Sequence, residues 1–127
     1  MGGRALLRTE TGSATVEFFL VIPMAILVLV AGLQVVSLAR ARIELVGAAR
    51  DGARVAATTP DPARAVEAVV AALPPSVRER VRVAVTRPSI AGQPARVVVQ
   101  LRHMLGAPFP DGAGVDLVAS ASMLVER

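Results

Sequence analysis

Residues 18–38 read FFLVIPMAILVLVAGLQVVSL, a run of 21 residues without a charged side chain. At a rise of 1.5 Å per residue, this run makes a helix about 31 Å long, which matches a bilayer hydrocarbon core of about 30 Å. We therefore predict a single membrane-spanning helix. Pro23 removes one backbone hydrogen bond from it, and we expect a kink of the kind that membrane helices tolerate.

An acidic residue, Glu17, directly precedes the apolar run and follows Gly12 by five positions. A carboxylate at the bilayer centre costs roughly 2.5–3.5 kcal/mol, and less near the surface, so such a residue usually has a charged partner. A simpler role is to complement the positive end of the helix dipole, which contributes roughly 0.3–1 kcal/mol. The residues alone leave both roles open.

The helix is expected to continue past the span as an amphipathic stem, giving one helix over residues 13–57. Apolar side chains recur there at spacings of three and four, which places them on one helix face. These positions are Ile43, Val46, Ala49, Ala53 and Ala57. Gly47 and Gly52 add small residues, which are explained either by close approach of a helix or sheet or by a general bias towards alanine and glycine.

Residues 58–127 are predicted to form a small α+β domain. Asp61 and Pro62 are typical of the start of a helix, which we expect to end near Leu73, before Pro74. The apolar period then changes to two, which predicts a small antiparallel sheet with strands near residues 81–85, 97–102 and 115–125. About 70 residues are marginal for an independent core, so we expect this domain to depend on the long helix or on neighbouring subunits.

The composition argues against several functional classes. The net charge of +4 comes from arginines spread along the chain, and there is no Trp or Tyr to stack on bases, so we do not expect nucleic-acid binding. The chain has no cysteine and a single histidine, His103, so we expect no metal or other cofactor. No spacing indicates a nucleophile with its base, and we expect neither an enzyme nor a small-molecule substrate.

Three segments together carry a resemblance to a known family. Residues 12–18 read GSATVEF, and this junction resembles the processing site of type IV pilin-like proteins. With residues 48–56, AARDGARVA, and residues 116–123, DLVASASM, the chain is similar to the TadE-like family. Members of that family are minor pilins or pseudopilins of the tight-adherence (Flp) pilus machinery.

The resemblance implies that a prepilin peptidase cuts after Gly12. Residues 1–12 would then be a cytoplasmic leader, Ser13 the first residue of the mature chain and Glu17 its fifth. The new α-amino group is mostly protonated at neutral pH and could meet Glu17 of a neighbouring subunit. Two unit charges 4 Å apart attract by roughly 4 kcal/mol at an effective dielectric near 20, but desolvation offsets much of this, so the pair would select helix register more than add stability.

The resemblance also implies a stem motif, formed by Arg50, Asp51, Gly52 and Arg54. Its charged side chains are either subunit contacts or a solvated helix face. The partners implied are the membrane, the prepilin peptidase, other pilin or pseudopilin subunits and pilus assembly proteins. The expected location is the cell membrane, crossed once, with the C-terminal domain outside the cytoplasm or in a surface pilus. Whether the protein enters the fibre or stays at its base is open.

Two features favour other interpretations. Two arginines precede the span and four follow it closely, so the positive-inside rule favours a cytoplasmic C-terminus, whereas the resemblance implies the opposite. Residues 39–41, Ala-Arg-Ala, offer a site that an ordinary signal peptidase could accept. The alternatives are therefore an uncleaved membrane-tethered envelope binding protein and a secreted binding domain.

Overall fold

The computed structural model describes residues 7–126, with side chains described from residue 12 onwards. The order of elements is helix α1 (Leu7–Thr58), helix α2 (Pro62–Ala72), a 3-10 turn (Arg78–Arg80) and strands β1 (Val81–Thr86), β2 (Pro94–Met104) and β3 (Gly114–Leu124). This confirms the predicted α+β class. Most of the predicted leader, residues 1–6 together with the side chains of residues 7–11, lies outside the described residues.

Helix α1 has 52 residues and begins at Leu7, six positions before the predicted start at Ser13. It continues through Pro23, so span and stem form one helix as expected. Its C-terminal carbonyls, which have no partner inside the helix, are bound by the rest of the chain. Arg87 Nε donates to Ala56 O at 2.7 Å, and Glu126 N donates to Ala57 O at 3.1 Å.

Helix α2 has the start that its sequence predicts. Asp61 is its N-cap, and its carboxylate accepts a hydrogen bond from Ala63 N at 2.9 Å, while Pro62 occupies the first turn. The helix ends at Ala72 with Leu73 as its C-cap. Arg78 Nε donates to Leu73 O at 2.9 Å, which satisfies a carbonyl at this end.

The three strands form an antiparallel sheet in the order β1-β2-β3. Val83 pairs with Val99 across β1 and β2, and Val99 pairs with Ala119 across β2 and β3. The period of two seen in the sequence matches the burial along β2, where Val97, Val99 and Leu101 are buried and the residues between them face outwards. Strand β2 is longer than predicted at both ends, whereas β3 has the predicted length and begins one residue earlier.

One face of the sheet packs against both helices to form a single core. Helix α1 contributes Leu45, Ala48, Ala49, Gly52, Ala53 and Ala56, and α2 contributes Ala65 and Val69. The largest fully buried side chains are a leucine and three valines, so stability depends on close backbone approach as well as on buried apolar area. The small domain thus shares its core with the long helix.

The buried face of α1 differs in part from the predicted one. Ala49, Ala53 and Ala57 are buried as predicted, but Ile43 is 73% exposed and Leu45 is completely buried. Alanine-rich helices carry apolar residues all around, so spacing alone does not identify which face packs. The buried face instead includes Leu45 and Gly52. Of the two explanations left open for the glycines, close approach applies at Gly52, where the sheet and α2 are the neighbours, whereas a Cβ at Gly47 would meet nothing within 4 Å.

Candidate functional site

The predicted cleavage junction lies on the first, exposed part of α1. Gly12 and Ser13 are helical and exposed, with the helix continuing on both sides. A Cβ added at Gly12 would have no neighbour within 4 Å. Among the described residues, neither packing nor backbone conformation therefore requires glycine at this position.

Glu17 is exposed at the start of a wholly apolar surface. The large side chains next to it, Val16 and Phe18, are also exposed, and none of the side chains described over residues 12–126 forms an ion pair with Glu17. The most apolar window of the segment Gly12–Thr58 has a mean hydropathy of 2.7 and none of it is buried in the fold. This long apolar helix indicates single-pass membrane anchoring.

The four residues of the stem motif have two different environments. Gly52 is buried, and a Cβ there would collide with Val69 and lie 3.3 Å from Val97 Cγ1. Arg50, Asp51 and Arg54 are exposed on the other side of the helix. The glycine therefore belongs to the core, while the three charges are available to solvent or to another subunit.

The junction and the stem motif are not brought together. Glu17 and Arg50 are separated by 33 positions on one helix, which corresponds to roughly 50 Å along its axis. They cannot form one catalytic or binding centre within a single chain. Any joint function would require neighbouring subunits.

A third group of residues, where the sheet meets the apolar part of α1, was not predicted from the sequence. Gln34 Nε2 donates to Ala107 O at 3.3 Å, and Ser37 Oγ is 3.3 Å from His103 Nε2. Gln34 and Ser37 interrupt the apolar run three positions apart, so they face the same side of α1. Two polar residues at helical spacing in a predicted span were the available signal for this contact.

The outer face of the sheet carries an open groove of about 630 Å³. Arg82 and Arg102 lie along it, and Arg102 Nη1 is 3.6 Å from Asp116 Oδ1. Both partners of this ion pair are more than half exposed, so it contributes little to stability. Among the residues with described side chains, no three His, Asp or Glu residues are grouped so that they could hold a metal.

Comparison with known protein families gives a match for about a third of the chain, near its N-terminus. Residues 12–54 match the family model for TadE-like proteins. This confirms the resemblance over that segment, which contains Gly12, Glu17 and the whole stem motif. No curated protein and no solved structure matches this chain.

The match covers the anchor and most of the stem, and the chain combines this TadE-like segment with the sheet built by residues 81–124. The resemblance of residues 116–123 lies outside the matched segment and stays a prediction.

Proposed function

We propose that this protein is a minor pilin or pseudopilin of a tight-adherence (Flp-type) pilus assembly and secretion system, processed by a prepilin peptidase after Gly12. It acts by assembly and catalyses no reaction. The observation that carries the proposal is the TadE-like match, which begins at Gly12 and includes Glu17 and the stem.

The environment of Gly12 supports processing at this position. The glycine is exposed, and its lack of a side chain relieves no contact within the fold. A peptidase that requires a small residue before the scissile bond gives Gly12 a role that packing does not. Ser13 follows as the first residue of the mature chain, and its new ammonium group is five residues from Glu17, counting both ends.

The position of Glu17 supports subunit pairing inside the membrane. Its carboxylate is next to exposed apolar side chains and has no ion pair within the described part of the chain. In a bundle of parallel helices, the ammonium of Ser13 on one subunit can approach Glu17 of the next. Because a misaligned neighbour would leave two unpaired charges in the bilayer, this contact favours a single axial register.

The fold argues against the secreted alternative. A cut after Ala41 would fall in the middle of α1 and would remove Leu38 and Ala41, both of which pack against the core. It would also remove the contact of Ser37 with His103. The anchor and the domain share one helix and one set of contacts, which supports a protein that functions while attached to the membrane.

The orientation we propose places the C-terminal domain outside the cytoplasm. The four arginines after the span oppose this by the positive-inside rule, but that rule applies chiefly to segments shorter than about 60 residues. Here the described residues after Leu38 number more than 80 and include a folded domain. Because long translocated domains follow the rule only weakly, these arginines are weak evidence for a cytoplasmic C-terminus.

The test is the N-terminus of the protein produced in cells that contain a prepilin peptidase. Mass spectrometry should find Ser13 at the N-terminus, and Gly12→Leu should block this processing. Gly32→Leu is the matched control, because Gly32 is on the same helix and a Cβ there also meets nothing within 4 Å. A mature chain that begins at Met1 or Gly2 would support the uncleaved tether, and one that begins at Arg42 would support the secreted domain.

A further inference from the structure

The sheet lies alongside α1 in a register that brings its lower end to the membrane span. At the upper end, Glu126 N binds Ala57 O, and at the lower end His103 contacts Ser37. The twenty helical steps from Ser37 to Ala57 rise about 30 Å, and the nine strand steps from Pro94 to His103 cover about 30 Å. Strand β2 therefore runs down the helix towards the apolar segment, and the β2–β3 loop, residues 105–113, continues past its end.

Along the axis of α1, this loop lies beside residues of the uncharged run 18–38. Gln34 donates to Ala107 O, and a Cβ on Gly106 would lie only 2.9 Å from Gln34 Nε2, so the loop backbone lies directly against the helix. Gln34 precedes the end of the uncharged run, at Leu38, by four residues, or about 6 Å. An amphipathic element at the headgroup–acyl boundary is buried by about 5–10 Å, which is the same depth.

The side chains of the loop suit that depth. Phe109 is 45% exposed at its tip and is the only phenylalanine outside the span. Two more exposed apolar residues, Met104 and Val115, flank the base of the loop. Exposure of this apolar area to water is unfavourable, and contact with lipid would remove that unfavourable exposure.

The loop backbone also has a reduced number of N–H groups that need a hydrogen bond from water. Pro108 and Pro110 have no N–H, and three further N–H groups donate within the loop: Leu105 to Ala113 O at 2.9 Å, Phe109 to Gly106 O at 3.2 Å and Ala113 to Pro110 O at 3.0 Å. Asp111 still requires water or headgroups around it. The chemistry thus matches the interface and not the hydrocarbon centre.

We propose that the β2–β3 loop inserts Phe109 into the headgroup region of the same bilayer that anchors α1, so that the domain is attached to the membrane at two points. The attachment is mainly apolar, because Arg102 at the base of the loop is paired with Asp116. The partner is a phospholipid surface of any headgroup charge. The inference depends on α1 spanning the membrane and is independent of cleavage after Gly12.

The absence of cysteine from the chain makes a direct test simple. The full-length protein is placed at one copy per lipid nanodisc, with a polarity-sensitive fluorophore on Pro110→Cys or on Ile90→Cys. Ile90 is the matched control, since it is an exposed apolar residue in the loop at the opposite end of the sheet. Nitroxide lipids labelled near the headgroup should quench the probe at position 110 and leave the probe at position 90 unchanged, in neutral and in anionic lipid alike.

A second variant tests the role of Phe109 itself. In the Pro110→Cys background, Phe109→Asp should lower the ratio of docked to undocked loop by roughly tenfold or more, because the gain from burying a phenylalanine is lost. Phe109 is half exposed, so the fold is expected to survive, and unfolding of both proteins is measured as a check. Equal quenching at positions 90 and 110 would overturn the proposal. So would a signal that requires two copies per disc, which would mean that the loop binds a second subunit.

Discussion

Gly52→Ala is the most informative single change in the core, because it adds one methyl group at the contact of three elements. The new Cβ would collide with Val69 of α2 and would lie 3.3 Å from Val97 Cγ1 of β2 and 3.4 Å from Ala65 O. Val69 is completely buried, and a valine in a helix has one strongly preferred rotamer, so its side chain cannot turn away. Either the helices separate or the sheet shifts.

The magnitude follows from comparison with Gly47→Ala, five residues earlier on the same helix. At both positions alanine improves helix propensity by about 1 kcal/mol, so this gain cancels in the difference. A Cβ at Gly47 meets nothing within 4 Å, whereas overpacking at Gly52 costs about 1–3 kcal/mol. Gly47→Ala should therefore be the more stable variant by about 1–3 kcal/mol, or several degrees in Tm for a domain of this size.

The assay is thermal or denaturant unfolding of the full chain in detergent, followed by circular dichroism. The double variant Gly52→Ala with Val69→Ala provides an internal check, because removing the valine methyl groups removes the collision. Its loss of stability should be smaller than the sum of the two single losses by about 0.5–3 kcal/mol. Equal stability of the Gly47→Ala and Gly52→Ala variants would refute the close approach described at Gly52.

Two further predictions concern the face of α1 and the acid at its start. Leu45→Ala should destabilise the domain by about 2–5 kcal/mol, while Ile43→Ala should change its stability by less than about 0.5 kcal/mol. If unfolding experiments gave similar losses of stability for the two variants, they would contradict the finding that Leu45 is buried and Ile43 is exposed. Glu17→Val should leave membrane insertion intact and reduce pilus assembly, because the proposed pair with a neighbour's ammonium would lose its anion. Membrane fractionation and pilus yield measure both effects, and undiminished pilus output would argue against a role for the carboxylate.

Much of the fold could be predicted because it is specified by local patterns. Asp61 and Pro62 satisfy the first turn of α2 whatever surrounds it, and alternation of buried and exposed residues in β2 follows from the geometry of an extended chain. The ends of β2 were less predictable, since pairing with β3 extends this strand beyond the region of clear alternation. The start of α1 was placed too late because Ser13, a good N-cap residue, lies inside a helix that begins at Leu7.

For the candidate site too, local features could be inferred from the sequence and long-range contacts could not. The roles of Gly12, Ser13 and Glu17 were inferred from their spacing to the apolar run and stay predictions. The burial of Gly52 and the exposure of Ile43 could not be inferred, because the alanine-rich stem has small apolar side chains on every side. The partners of Gln34 and Ser37 are about 70 positions away in sequence, at Ala107 and His103.

The amino-acid sequence alone was sufficient to predict a long apolar helix, a helical stem and a small antiparallel sheet, because helix length, capping and side-chain periodicity are properties of neighbouring residues. Only the folded chain shows how these parts are aligned. Packing of the sheet along α1 selects the face through Leu45 and Gly52 and carries the loop with Phe109 to the level of Gln34. That alignment depends on contacts between distant segments, and no local pattern encodes it.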